Sequence, residues 1–107
     1  EMMNQLLNDN GKQLPTFLFA ENDAIAIGAL RALQEADIAV PDQISIVGFN
    51  DSKVAKYVYP PLSSIRVDTR EMGRTGVSLL LDRIAYPRKI SKKISLSTEW
   101  IKRASTK

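Results

Sequence analysis

Apolar residues along the chain fall into two kinds of pattern. Short continuous runs cover residues 16–20 (Thr-Phe-Leu-Phe-Ala, after Pro15), 44–49 (Ile-Ser-Ile-Val-Gly-Phe) and 63–67 (Ser-Ser-Ile-Arg-Val). Runs of this length, bounded by turn residues, suit strands of a parallel sheet, the first buried on both faces and the second buried. Between them the spacing changes. Ala26, Ala29, Leu30 and Leu33 stand at i, i+3, i+4 and i+7, which predicts a helix over 24–36 with one apolar stripe and with Ile25 and Ile27 off it. Residues 2–9 have the same spacing and stop at Asn10-Gly11, a C-cap signal. A short helix over 51–59 is ended by Pro60-Pro61. A longer one over 70–86 is capped by Asp68 or Thr69, stopped by Pro87, and carries a stripe of Val77, Leu80, Leu81 and Ile84 that calls for burial. Residues 92–101 alternate strictly, with Ile94, Leu96, Thr98 and Trp100 on one side, and predict a half-exposed strand. Strands alternating with helices predict an α/β fold, a parallel sheet flanked by helices.

The predicted strands share an ending. Glu21-Asn22-Asp23 follows the first, Asn50-Asp51 the second and Asp68 the third. Ligands of open parallel sheets bind in the crevice at the carboxyl ends of the strands. Asn both donates and accepts hydrogen bonds, and Asp accepts several, a combination suited to a small polyhydroxylated ligand such as a sugar. The same residues also make helix caps and turns. Asp23 fits a cap better than a contact. Asn50 follows its strand directly and has Asp51 beside it to serve as the cap.

Composition narrows the chemistry. The 107 residues contain no Cys and no His, which removes the thiolate, the commonest general base and the commonest metal ligand. No phosphate loop, nucleophile elbow or dinucleotide fingerprint is present, and nothing selects a carboxylate pair such as Glu21 and Asp51 for acid–base work. The expectation is no enzyme, no metal and no cofactor. Residues 1–51 hold eight acidic and two basic side chains, net −6, and residues 52–107 hold four and thirteen, net +9. The bases are scattered and not interleaved with aromatics, so they read as a solvated surface rather than a nucleic-acid patch. No apolar run reaches the roughly 20 residues that span a bilayer. The chain opens on Glu1 inside a helical pattern, which leads us to expect a fragment whose N-terminal part is missing.

Three long segments then show a family likeness: PTFLFAENDAIAIGALRAL (15–33), VPDQISIVGFND (40–51) and YPPLSSIRV (59–67), continued by MGRTGVSLLLDRI (72–84) and WIKRAS (100–105). Together they resemble the effector-binding domain of the lactose- and galactose-repressor (LacI/GalR) family of bacterial regulators, in order over essentially the whole chain. The variant Gly48-Phe49-Asn50-Asp51, with PPLSSIRVD, is similar to the galactose and β-galactoside regulators. The resemblance implies a type I periplasmic-binding-protein-like fold of two α/β lobes with a ligand in the cleft. Residues 1–107 are then the C-terminal part of that domain, with 69–98 crossing to a first lobe that is mostly missing, as is the helix-turn-helix that reads DNA. It implies sugar contacts at Asn22 and Asn50, with Asp51 adjoining. An amide at position 50, where many relatives have Asp, implies different hydroxyl selectivity. Val67 stands where relatives often have a polar crossover residue. A dimer face is implied on the helix bearing Ile27 and on the segment with Val54, Tyr57 and Val58. The function implied is a cytoplasmic, sugar-sensing, homodimeric module of a repressor, with a galactoside-like effector and with operator DNA bound through the missing N-terminal domain. Sugar would close the lobes, shift the dimer and weaken operator binding. The alternative with the same fold is a soluble sugar-binding protein of a transport system.

Overall fold

The computed structural model describes residues 2–9, 14–87 and 90–107. The chain divides into two compact units: Glu1–Arg66 with Glu99–Lys107, and Val67–Thr98. The C-cap expected at Asn10-Gly11 lies outside the described residues.

The first unit is built on a four-stranded sheet in the order β1 (Phe17–Phe19), β2 (Ser45–Phe49), β3 (Ser63–Arg66) and β4 (Glu99–Ile101). The first three strands are parallel, as the alternation of strands and helices predicts. β4 runs antiparallel to β3, pairing Ile65 with Trp100 and Arg66 with Glu99. Strand structure begins only at Glu99; residues 91–98 lie outside any strand. The alternation that predicted a strand over 92–101 therefore overran its partner. β3 is four residues long, and an antiparallel neighbour cannot extend past it.

The helix α2 (Asp23–Glu35) covers one face of the sheet. Its predicted stripe, Ala26, Ala29, Leu30 and Leu33, is buried, and Ala26, Leu30 and Leu33 pack with Ile44, Ile46, Ala55 and Leu62. Burying Leu and Ile side chains of this kind stabilises a fold by roughly 1.5–3 kcal/mol each. Met3 and Leu7 of α1 (Met2–Asp9) add to the same cluster. A 3-10 turn at Lys53–Lys56 replaces the longer helix predicted over 51–59 and buries only Ala55. Its N-cap is Ser52, not the expected Asp51.

The C-terminal tail ties the starts of β2 and β3 together. Buried Ser105 accepts from the Ile46 N–H through its carbonyl (2.8 Å), donates its hydroxyl to the Ile46 carbonyl (2.6 Å), and accepts from the Ser63 N–H (2.8 Å). These bonds satisfy polar groups that burial would otherwise leave unpaired.

The second unit consists of α3 (Thr69–Ala85) and the segment after it. Asp68 caps α3, its Oδ1 accepting from the Glu71 N–H at 2.9 Å. Asp68 is thus a helix cap, and the Lys92–Asp82 pair (3.8 Å) joins the later segment to the helix. None of the residues of α3 is buried, and its stripe of Val77, Leu80, Leu81 and Ile84 remains more than half exposed. The burial that this stripe calls for is not met within residues 67–98.

The end of α2 shows why local sequence matters. Asp37 takes a left-handed conformation (φ 54°), its N–H donates to the Gln34 carbonyl (3.1 Å), and the Ile38 N–H donates to the Leu33 carbonyl (2.9 Å). This is a Schellman ending, with Ile38 packed against the core cluster that contains Leu33. The left-handed position is usually glycine, since a side chain there is strained. Asp37→Gly should therefore raise stability by up to about 1 kcal/mol, read as an increased midpoint in urea denaturation.

Candidate functional site

The register places the expected site residues. β1 pairs Phe19 with Val47, so Asn22 and Asn50 each stand three residues beyond a paired position, at the carboxyl ends of adjacent parallel strands. This is the edge at which open parallel sheets hold ligands.

Asn22 is the N-cap of α2. Its backbone is extended (φ −155°, ψ 164°), and its Oδ1 accepts from the Ile25 N–H at 2.9 Å. The expectation that Asp23 is the cap is corrected accordingly. The capping bond uses the Oδ1 end of the Asn22 amide, so the Nδ2 end is the one that can donate outward.

Asp23 is buried at the first position of α2. Its Oδ1 accepts from the Ser64 hydroxyl (2.6 Å) and its Oδ2 from the Ser52 N–H (2.5 Å). Gly48 makes this placement possible: a Cβ there would overlap Asp23 Oδ1 and stand 3.1 Å from Leu62 Cδ2. A glycine inside a strand often marks such a close approach.

Asn50 and Asp51 form a turn with two successive positive φ angles, 91° and 49°. Such backbone costs of order 1–3 kcal/mol per residue and persists only when its surroundings enforce it. Here the Asn50 N–H donates to the Ile65 carbonyl (2.8 Å), the Asp51 N–H to Ser64 Oγ (3.0 Å), and the Ser52 N–H to Asp23. The Asn50 residue itself is exposed.

Asp51 faces two arginines. Its Oδ2 is 2.7 Å from Arg66 Nη2 and accepts from Arg66 Nε at 2.8 Å, and its Oδ1 is 2.7 Å from Arg103 Nη2. Arg66 also reaches Glu99 Oε2 (3.2 Å), and Arg103 donates to the Leu62 carbonyl (2.7 Å). Burial alone would raise the Asp51 carboxyl, but the hydrogen bonds and charges of Arg103 and Arg66 outweigh it and hold the group below the usual carboxylate range. Arg66 is raised in turn, chiefly by its hydrogen bond to Asp51.

The residues of the expected dimer face divide into two kinds. Val54 and Tyr57 are exposed, with Lys56 Nζ 5.0 Å from the centre of the Tyr57 ring. Ile27 and Val58 are half-buried and pack against the core cluster. Ile27, expected off the stripe, thus contributes to the core, and Ile25 is the exposed member of the pair. Among the described residues, no group of three or more His, Cys, Asp or Glu is placed to hold a metal ion, and no helix is long and apolar enough to cross a membrane.

Polar residues at the carboxyl ends of adjacent parallel strands stand where open α/β sheets hold ligands. The chain belongs to the periplasmic binding protein-like domain family, whose model matches residues 1–106. It is 53% identical over 98 residues (92% of this chain, 30% of the relative) to the HTH-type transcriptional regulator GalR of Streptococcus thermophilus. Among solved structures, it is similar to the Lac repressor dimer bound to operator and the anti-inducer ONPF, with 32% identity and a TM-score of 0.86 over 98% of this chain and 36% of that one. It is also similar to a transcriptional regulator CelR–cellobiose complex, with 33% identity and a TM-score of 0.86 over 96% of this chain and 31% of that one. The chain thus spans about a third of the length of its relatives, which are LacI/GalR-type transcriptional regulators.

The depressed Asp51 carboxyl makes a pH prediction. A group whose folded pKa lies below its unfolded value contributes stability that is present above the ordinary carboxylate pKa of about 3.9 and is lost as pH falls through the folded value. Asp51→Asn should lower stability at pH 7 by about 1–3 kcal/mol, the scale of hydrogen bonds to charged groups. In urea denaturation at pH 7 and below pH 3, the difference between variant and parent should narrow at the acid end.

Proposed function

We propose that this chain is the sugar-sensing, C-terminal portion of the effector-binding domain of a DNA-binding transcriptional repressor. The observation that carries this reading is the strained turn after β2, which presents an exposed amide, Asn50, at the carboxyl edge of the sheet, in a chain 53% identical to a GalR regulator. Asn50 and the Nδ2 end of Asn22 contact hydroxyls of a galactoside-like effector. Asp51, held by Arg66 and Arg103, supports the contact from behind.

The relatives favour a regulator over a transport protein. The chain carries out no catalysis of its own, needs no cofactor, and works in the cytoplasm. Residues 69–98 belong to a crossover toward a first lobe, and the exposed stripe of α3 packs there in the longer protein. DNA is read by a separate N-terminal domain. Sugar bound between lobes biases a population of closed and open forms, and so changes operator affinity.

A hybrid regulator, with this chain replacing the matching segment of the Streptococcus thermophilus protein, allows a direct test. Asn50→Ala in the hybrid should weaken galactose binding by about 1–3 kcal/mol, the cost of leaving a hydrogen-bonding partner unsatisfied. Calorimetry reads this as a raised Kd at full stoichiometry, while the thermal midpoint of the free protein falls only by the strain that Ala adds at a positive φ. An unchanged Kd excludes Asn50 as a contact.

The same reading pairs two copies through the exposed side chains of Val54 and Tyr57, together with the half-buried Ile27 and Val58. Val54→Glu tests this more cleanly than a change at Ile27, which also packs in the core. A carboxylate there meets its own copy across a two-fold axis. Sedimentation of the hybrid at micromolar concentration should show monomers where the parent is dimeric.

A further inference from the structure

Three successive N–H groups leave β2 at Asn50, Asp51 and Ser52, through two residues of positive φ. Each has its own acceptor, and the chain's buried Asp23 stands behind two of them. Oδ2 accepts the Ser52 N–H directly at 2.5 Å. Oδ1 accepts the Ser64 hydroxyl at 2.6 Å, and that same hydroxyl accepts the Asp51 N–H at 3.0 Å. One side chain from α2 thus secures two of the three groups, the second through a strand β3 hydroxyl. The third, on Asn50, is secured by the Ile65 carbonyl (2.8 Å). Asp23 and Ser64 are both buried, whereas Asn50 is exposed.

We propose that Asp23, relayed by Ser64, is the positioning residue of the binding loop: it holds the turn in its positive-φ form, and thereby holds Asn50 in the orientation that meets the ligand. This deepens the proposed function and rests on it for the ligand contact, but the lock on the turn stands on geometry alone. A flat strand-to-loop exit would turn the Asn50 side chain elsewhere, because the side-chain direction follows φ and ψ at its own Cα. Asp23 touches no ligand in this account. An amide in its place is neutral and keeps one acceptor, so it leaves either the Ser52 N–H or the Ser64 O–H without its acceptor.

The test has two arms. In the chain itself, amide hydrogen exchange is followed at Asp51, Ser52 and, as an internal reference, Val47 in β2. Asp23→Asn should lower protection of Ser52 at least tenfold more than that of Val47. Ser64→Ala, which leaves the carboxylate in place, should release Asp51 by at least tenfold while Ser52 stays protected. It also serves if the Asp23 variant does not fold. Loss at Ser52 that merely parallels Val47, or an Asp51 amide unchanged by Ser64→Ala, overturns the lock.

In the hybrid regulator, galactose affinity is measured for Asp23→Asn with and without Asn50→Ala. Positioning predicts a loss of tenfold or more when Asn50 is present and none beyond the Asn50→Ala loss when it is absent. Equal losses in both backgrounds mean that Asp23 acts on the fold in general, and overturn the proposal. If Asn50→Ala alone leaves the affinity unchanged, the ligand reading fails, and the exchange arm still decides whether Asp23 holds the turn.

Discussion

A buried carboxylate at the start of a helix organises the carboxyl edge of the sheet. Asp23 sits where α2 begins, beneath the turn that ends β2 and against β3. Burying such a group without partners is costly, so its position dictates what surrounds it. Gly48 must lack a side chain, Ser64 must carry a hydroxyl, and the Ser52 N–H must turn inward. The turn at Asn50-Asp51 adopts a backbone form that those bonds compensate. The exposed amide at the sheet edge is the outer consequence of an interior arrangement.

Around this centre the first unit is held by polar links as much as by its apolar cluster. Ser105 joins β2 and β3 at their starts, and Arg103 runs from the Leu62 carbonyl to Asp51. Arg66 joins Asp51 to Glu99, where the chain leaves and re-enters the unit. Exposed ion pairs contribute little, and Arg66 is about half exposed. The Arg103–Asp51 pair is better shielded and carries more of the stabilisation. A sheet whose strands span only three to five residues needs such cross-links, since its ladders are short.

What the sequence reveals follows from what is local. The stripe of α2, the three parallel strands and the helix at 69–85 rest on spacing, and spacing survives into the fold; the expected burial of the first strand on both faces does not, since Phe17 and Phe19 of β1 are each 54% exposed. The length of β4 does not, because an alternating pattern is read without knowing that β3 stops at Arg66. The polar edge with Asn22 and Asn50 was legible from strand endings. The Asp23–Ser64–Ser52 network was not, since it joins residues 29 and 41 positions apart. Two signals pointed to it: a glycine inside an apolar strand, and adjacent serines at 63 and 64 in a predicted strand. Ile27 shows the reverse limit, because a residue beside a helical stripe still packs against the core cluster.

Whether the turn after β2 presents Asn50 to a sugar is read most directly from the side-chain amide signals of Asn22 and Asn50 in a nitrogen–proton correlation spectrum of the hybrid regulator, titrated with galactose. Contact with the sugar should give saturable shifts of the Asn50 amide pair, with smaller shifts at Asn22, whose Oδ1 stays bonded to the Ile25 N–H. Saturable binding elsewhere in the spectrum, with both Asn50 amide protons unmoved, would contradict it.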